Sequence, residues 1–457
     1  MELPHEHGMR VGSEKRFPAR TWVRGASLLL IAALWANFAL SLPAVRAVRL
    51  NDFPAYFQAG RVMREGHPEQ LYSTDWKWFT NVPIVAALFA PLGGLEYETA
   101  WATLWWVSVA SFVLTFALLL FAVARWFPPL DPGRAALVTL IFFAFAPVMR
   151  RCLVLGQTTP LLVLAFCGVY LLVRAGWPRS GGALLGLICV VKIPPMLLLP
   201  LLGVRRRWSV ALPALAVVAA GFVGSWLFFG SDLMAQYADR VIWENLGRAH
   251  AAFNNQSLDG ALMRMLSDRG LADWVPVARP AALRWISFAI LAALAALLLV
   301  FGRRLLWPPV PPHDADPRAG SLELEIGLGV ALMVLVFPIV WIHYYLFLVV
   351  PLALLPFWWQ ARAGGEPHAL GAPWMLALPF AAGAWLAGGM EAHENAWYAA
   401  REGEMLVRLR QNLQPLGALL LIVSFLRPLH VVAERQRSAA TGRGPAGAGD
   451  GPSRDAA

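Results

Sequence analysis

Lysine is nearly missing from this chain. There are three, Lys15, Lys77 and Lys192, and the rest of the 38 basic side chains are arginine. Cysteine is equally scarce: Cys152, Cys167 and Cys189 are odd in number, lie in or beside apolar segments and lack metal-ligand spacing. That pattern excludes a disulfide framework and a structural zinc site, and leaves them as small packing residues. Charged residues make up only 14% of the chain against 58% hydrophobic ones, which excludes an ordinary soluble globular protein. No phosphate-cradling glycine loop, dinucleotide fingerprint or His/Cys cluster occurs. No basic face combines with stacking aromatics in a soluble domain, which removes nucleic acid as a partner. No internal repeat is visible, so the duplicated architecture of many transporters has no support.

What the chain does have is apolar sequence in long runs. From Gly25 to Leu42 the only strongly polar side chain is Asn37, and about 20 such residues cross a bilayer as a helix. The arginines before this run and Ala44-Val45-Arg46-Ala47 after it also have signal-peptide spacing, but the run is long for one and is read as a retained helix. Further runs lie at about 98–124, 135–149, 159–175, 208–229, 284–302, 324–341, 344–361, 371–389 and 413–429. They predict an all-α polytopic membrane protein, bathed in membrane lipids, with about 10 to 12 transmembrane or re-entrant helices. The net charge of +10 gathers in arginines between runs, at Arg125 with Arg134, Arg174 with Arg179, Arg205-Arg206-Arg207, Arg303-Arg304 and Arg362. An excess of that kind marks cytoplasmic segments, so both termini are expected there.

This orientation requires the stretch from Ala183 to Val204 to enter and leave on one side. Lys192-Ile193-Pro194-Pro195 interrupts it, and two prolines remove two backbone donors, which predicts two half-helices meeting near Lys192. Val82 to Leu92 is too short to span and predicts an interfacial or re-entrant helix on the outer side. The chain then divides into a cytoplasmic N-terminus at 1–21, a membrane domain at 22–429 with large outer loops at 43–97 and 230–283, and a disordered cytoplasmic tail at 430–457. Trp76, Trp78, Tyr237 and Trp243 in those loops suit the headgroup zone.

Under that topology the candidate functional side chains share the outer face. Asp52 and Tyr56 follow the first helix at i, i+4 spacing, although an Asp close before Pro54 also begins an ordinary helix by capping it. Gln157 sits in Gly156-Gln157-Thr158-Thr159-Pro160, which also reads as a turn and helix start. Lys192 is an ammonium within an apolar stretch, a functional candidate unless it snorkels to the interface. Asn254-Asn255-Gln256-Ser257-Leu258, with Arg264 beyond, offers amides and a hydroxyl for sugar and a guanidinium for phosphate, or else a solvated loop. Aromatic anchoring accounts for Trp341 and Tyr344 but not for His343 between them.

These residues, in this order, resemble glycosyltransferase family 87. The resemblance runs from about 22 to 360 and rests on Asp52 with Tyr56, Leu71-Tyr72 and Pro83, Gly156-Gln157, Lys192 before Pro194, Asn255-Gln256-Ser257-Leu258 with Arg264, and Pro338 through His343-Tyr344. Where this chain has Asn81-Val82-Pro83, a Tyr-Pro pair is the commoner form. The family comprises polyprenyl-phosphate-sugar-dependent transferases of the GT-C class, including actinobacterial mannosyltransferases that act on phosphatidylinositol mannosides. The resemblance implies inverting transfer of a hexose, mannose by prevalence, from a polyprenyl-phosphate donor to a hydroxyl of a glycolipid or glycan acceptor on the extracytoplasmic side. Asp52 would be the general base and Lys192, Arg264 and His343 would hold the donor phosphate. Tyr56, Gln157, Asn255, Gln256, Ser257 and Tyr344 would bind sugar or acceptor. No cofactor is implied, because basic side chains can neutralise the departing phosphate without a metal. A secondary transporter or lipid flippase is the competing class, since an intramembrane lysine in a broken segment also suits translocation.

Overall fold

In the computed structural model, residues 18–48, 52–72, 79–244, 248–306, 322–363, 378, 381–383, 400–401 and 403–425 are described. The expectations for Trp76 and Trp78, for most of 1–21 and of the span at 371–389, and for the tail at 430–457 lie outside them. The apolar runs become helices: α1 Pro18–Ala47, α2 Phe53–Glu65, α3 Pro83–Leu88, α4 Ala90–Gly93, α5 Tyr97–Trp126, α6 Pro132–Ala144, α7 Ala146–Leu155, α8 Thr159–Arg174, α9 Pro178–Val191, α10 Leu198–Val204 and α11 Trp208–Tyr237. Then follow α12 Leu258–Leu266, α13 Ala281–Leu306, α14 Leu322–Val336, α15 Val349–Ala363, α16 Met405–Gln411 and α17 Leu413–Phe425. Among the described residues, strand is confined to a two-residue antiparallel pair, Arg248–Ala249 with Val277–Ala278.

Four of the described helices are long and apolar enough to cross a membrane, five if the bent pair α6 and α7 counts as one span. The protein is a polytopic helical membrane protein. Lipid-facing and enclosed spans differ in burial. The window from Thr21 to Ala47 is 6% buried and exposes Leu28, Leu29 and Leu40, whereas Ile342–Ala361 is 83% buried and runs through the centre.

Breaks in the helices follow the prolines. The run at 135–149, expected as one span, bends by 50° between α6 and α7, because Pro147 has no N–H for the carbonyl of Phe143. The run at 324–341 stops at Val336, ahead of Pro338. An extended stretch follows, and the next helix begins as a 3-10 turn at Ile342–Leu348. Lys192 is extended at φ −139°, ψ 121°, between α9 and the 3-10 turn Pro194–Leu197. The two half-helices expected around it are present as α9 and α10. Val82 to Leu92 becomes two short helices, α3 and α4. Tyr237, expected in the headgroup zone, is instead enclosed at 1% exposure against Tyr72 and Phe222, while Trp243 is exposed. All three cysteines are buried and free.

Buried ion pairs tie one end of the bundle together. Arg174 at the end of α8 meets Glu323 at 2.5 Å, with Tyr170 donating to the same carboxylate at 2.8 Å. Arg205 meets Glu325 at 2.9 Å, and Arg207 bonds its other oxygen. Both ends of the 174–207 excursion are therefore anchored to carboxylates two residues apart, so it leaves and returns to one pole. With a rise of about 1.5 Å per residue, α8 alone carries the chain about 24 Å from that pole to the other. There lie Asp52, Gln157 and Lys192.

Candidate active site

Gln157 is the hub of the far pole. Its Nε2 donates to Asp52 Oδ2 at 2.5 Å, and its Oε1 accepts from Lys192 Nζ at 2.8 Å and from Tyr56 Oη at 3.2 Å. Two donors on one oxygen fix the amide orientation, since a flipped amide would face both with N–H groups. The local sequence sets this position. Gly156 ends α7 in the left-handed region at φ 69°, and the Gln157 N–H closes back on the Cys152 carbonyl at 3.0 Å. A Cβ on Gly156 would lie 2.7 Å from Phe53 Cβ and from the Trp101 ring, so α2 and α5 crowd directly against the turn.

Asp52 occupies the N-cap position of α2 but makes no capping bond with its side chain. The carboxylate turns to Gln157 instead, and among the described residues Oδ1 takes no hydrogen bond. Asp52 is partly exposed while its partners Tyr56, Gln157 and Lys192 are buried, so one oxygen is held and one edge faces out. Burial, reinforced by the Asp52 charge, holds the Tyr56 phenol well above its ordinary range, which keeps it a neutral donor.

Lys192 lies at the end of α9 because Pro194 and Pro195 cannot continue the hydrogen-bond ladder. A residue with an N–H at 195 would satisfy the Val191 carbonyl. Pro195 cannot, and Asn81 Nδ2 reaches across to donate to that oxygen at 2.5 Å. Asn81 is held in turn by Tyr72, whose hydroxyl donates to its carbonyl at 2.6 Å. Lys192 Nζ reaches His343 Nε2 at 3.1 Å and lies 4.6 Å from the Tyr344 ring centroid, a cation–π distance. With Lys192 charged, His343 Nε2 is the acceptor and its proton sits on Nδ1, which is buried and unpartnered. Of the three ammonium donors, two go to Gln157 and His343.

The asparagine-rich loop forms the backing of this cluster. Asn255 Oδ1 accepts from Val340 N at 3.0 Å and Ser257 N at 3.3 Å, and its Nδ2 donates to the His250 carbonyl at 3.1 Å. Gln256 N donates to Val340 O at 2.6 Å, Ile342 N to Asn254 O at 3.0 Å, and Gln256 Nε2 to Phe253 O at 2.6 Å. Ser257 caps α12 through Gly260 N and donates to Pro338 O at 2.8 Å. This zipper with 338–342 fixes where His343 and Tyr344 begin. Arg264, fully enclosed, directs its donors to the carbonyls of Ala252, Asn255 and Gln411 and to Asn412 Oδ1, binding the loop to α16 and α17.

Asp52, Tyr56, Gln157, Lys192, His343 and Tyr344 are thus one contiguous cluster, while Asn255, Gln256, Ser257 and Arg264 brace it from behind. Two contributors escaped sequence reasoning. Asn81 had a faint signal, an amide two residues ahead of a proline. Arg151 on α7 had none, being one of many arginines, yet its charge acts on both His343 and Cys152 and its guanidinium lies 5.8 Å from the Phe253 ring centroid. Together with Lys192 and the N-terminus of the 16-residue α8, it makes the floor of the cluster electropositive beside one carboxylate. Such a site suits an anionic group next to a proton acceptor.

Known proteins resemble this chain in sequence and in fold. Over 296 residues the chain is 27% identical to the polyprenol-phosphate-mannose-dependent alpha-(1-2)-phosphatidylinositol mannoside mannosyltransferase of Mycobacterium tuberculosis, covering 59% of this chain and 60% of that protein. The chain thus spans less than two thirds of the length of the curated relative it matches. The crystal structure of ArnT from Cupriavidus metallidurans bound to undecaprenyl phosphate aligns with 93% of this chain and 79% of its own, at 16% identity and a TM-score of 0.41. Residues 79–338, more than half of the chain, match glycosyltransferase family 87, and the protein belongs to that family.

Proposed function

We propose that this protein is an integral-membrane inverting glycosyltransferase that moves a hexose from a polyprenyl-phosphate donor to an acceptor hydroxyl. Mannose is the sugar favoured by the mannosyltransferase it resembles. The observation that carries the reading is the single relay Asp52–Gln157–Lys192–His343, in which a partly exposed carboxylate and a buried ammonium sit on opposite atoms of one amide. Asp52 Oδ1 takes the proton of the acceptor hydroxyl as that oxygen bonds to the anomeric carbon. The bond from that carbon to the phosphate oxygen breaks, and its electron pair leaves on the polyprenyl phosphate.

A phosphate leaves as a stable anion, so one proton acceptor suffices and the leaving group needs positive charge more than a general acid. Lys192, Arg151 and the Nδ1–H of His343 supply it, and the scheme makes no use of a metal ion. Gln157 holds the Asp52 carboxylate, and Tyr56 holds Gln157. Arg264, Asn255, Gln256 and Ser257 act on substrate indirectly, by seating His343 and Tyr344. Arginines at the opposite pole favour a cytoplasmic location for that end, which puts this site and its lipid substrates at the extracytoplasmic surface.

The test is acceptor-dependent release of free polyprenyl phosphate from a labelled lipid-linked mannose by the purified chain in lipid nanodiscs. Asp52→Asn is expected to lower turnover at least about 1,000-fold while leaving donor binding within about twofold. Near-normal turnover in that variant removes Asp52 as the base. Movement of intact donor across vesicles without release of phosphate would identify a flippase instead.

A further inference from the structure

The pole opposite the charged cluster divides its arginines into two kinds. Arg174, Arg205 and Arg207 are buried and paired with Glu323 and Glu325. Arg179 is exposed and Arg206 partly exposed, and among the described residues neither makes a hydrogen bond or an ion pair. Each has an open indole two residues away, Trp177 at 64% exposure and Trp208 at 52%.

The two turns that carry them are built alike and set side by side. In the first, the Trp177 N–H closes on the Leu172 carbonyl at 2.8 Å around Gly176 at φ 86°; in the second, the Arg207 N–H closes on the Leu202 carbonyl at 2.9 Å around Arg206 at φ 57°. They lead into α9 and α11, which run parallel with their backbones touching. A Cβ on Gly182 would lie 2.2 Å from the Val210 carbonyl oxygen, and one on Gly186 would lie 2.6 Å from that of Ala214. With both turns also pinned to α14 by the buried ion pairs, the exposed side chains stand on a rigid base.

A left-handed residue closing a helix is ordinarily glycine, because a side chain there is strained against its own backbone. Gly176 meets that requirement and Arg206 does not. Positive-inside anchoring accounts for arginine somewhere in these turns, but not for arginine at the one position where glycine would relax the fold. A guanidinium kept there at the expense of strain has its use outside the protein. Beside it the Trp208 ring is seated over Gly203, and the exposed Leu187, Leu212 and Leu215 continue along α9 and α11. Unpaired guanidiniums grip phosphate oxygens, indoles settle at the ester level, and leucines receive acyl chains. An anionic phospholipid has those three parts in that order.

We propose that Arg179, Arg206, Trp177 and Trp208 form a binding site for an anionic phospholipid of the leaflet at this pole, the cytoplasmic leaflet in the orientation given above. The site takes no part in the transfer reaction and stands whichever sugar the other pole moves.

Native mass spectrometry of the full chain in detergent, titrated with dioleoyl phosphatidylglycerol or dioleoyl phosphatidylcholine, tests it. The wild type is expected to hold phosphatidylglycerol at least about tenfold more tightly, and the Arg179→Gln, Arg206→Gly double variant to lose that preference. Arg125→Gln removes an exposed arginine from the same pole but outside these turns, and is expected to leave the preference within about twofold. Thermal unfolding then separates binding from folding. In phosphatidylcholine, Arg206→Gly is expected to melt no lower than the wild type, because glycine relaxes the turn, yet to lose most of the rise that phosphatidylglycerol gives the wild type. No preference or no rise in the wild type, an equal loss in Arg125→Gln, or an unchanged preference in the double variant overturns the site. A lower melting temperature of Arg206→Gly in phosphatidylcholine assigns Arg206 to the fold and overturns it as well.

Discussion

Asn81 Nδ2 holds the Val191 carbonyl at 2.5 Å across 110 residues of chain, and so fixes the end of α9 one residue before the lysine of the charged cluster. The amide takes the place of the N–H that Pro195 lacks. Lys192 therefore owes its position to a residue that touches no reacting atom.

Replacing Asn81 by Ala leaves that buried carbonyl unpaired and removes the brace. A destabilisation of about 1–3 kcal/mol is expected, with the donor KM rising several-fold. Thermal unfolding in detergent and donor titration together check it. An unchanged melting temperature with an unchanged donor KM would mean that α9 is held by its packing alone.

Lys192→Met removes the charge while keeping an unbranched chain of similar length. Loss of one preorganised cation facing a departing phosphate is expected to reduce kcat/KM for donor at least about 100-fold. Lys192→Arg is expected to recover only part, because a planar fork cannot take the place of an ammonium set 2.8 Å from Gln157 and 3.1 Å from His343. Steady-state kinetics on the two variants decides this, and an unchanged donor response in the Met variant would take Lys192 out of the site.

Gly156→Ala combines a left-handed backbone with a Cβ placed 2.7 Å from Phe53 and Trp101. We expect about 2 kcal/mol or more of destabilisation, together with a loss of turnover as Gln157 shifts away from Asp52. If melting falls and turnover per folded molecule stays normal, Gln157 does not position the carboxylate.

Glu325→Gln leaves the guanidiniums of Arg205 and Arg207 buried, at 2% and 5% side-chain exposure, with their countercharge removed. The expected loss is about 3–5 kcal/mol of stability, and the site, about 24 Å away along α8, should keep its donor KM. Proteolytic susceptibility and donor titration read the two effects apart. A rise in donor KM as large as that of Lys192→Met would show that the two poles are not independent.

Legibility from sequence followed the range of the interactions involved. The broken excursion around Lys192 was readable because Pro194 and Pro195 act on their own backbone. The bend at Pro147 carries the same local signal, but it was submerged in a continuous apolar run. Arg264 looked like a phosphate ligand, since a guanidinium beside amides is the same pattern whether it faces a ligand or three main-chain carbonyls. Arg151 could not be singled out, because its importance lies in proximity to His343, 192 positions further on. The stretch that matches the family, 79–338, likewise leaves out Asp52 and His343, which only folding brings to Gln157 and Lys192.

Composition and hydrophobic run length, which act through transfer from water to lipid and through the backbone's need for internal hydrogen bonds, were enough to determine a polytopic helical membrane protein. The order of a few polar residues along the chain was enough to indicate its family. Which of those residues meet was decided only by tertiary packing. A hydrogen bond acts over about 3 Å and has no memory of sequence separation. The union of Asp52, Gln157, Lys192 and His343 therefore depends on how α2, α7, α9 and the start of the central span pack, and on the crowding that leaves room for nothing larger than a glycine at 156.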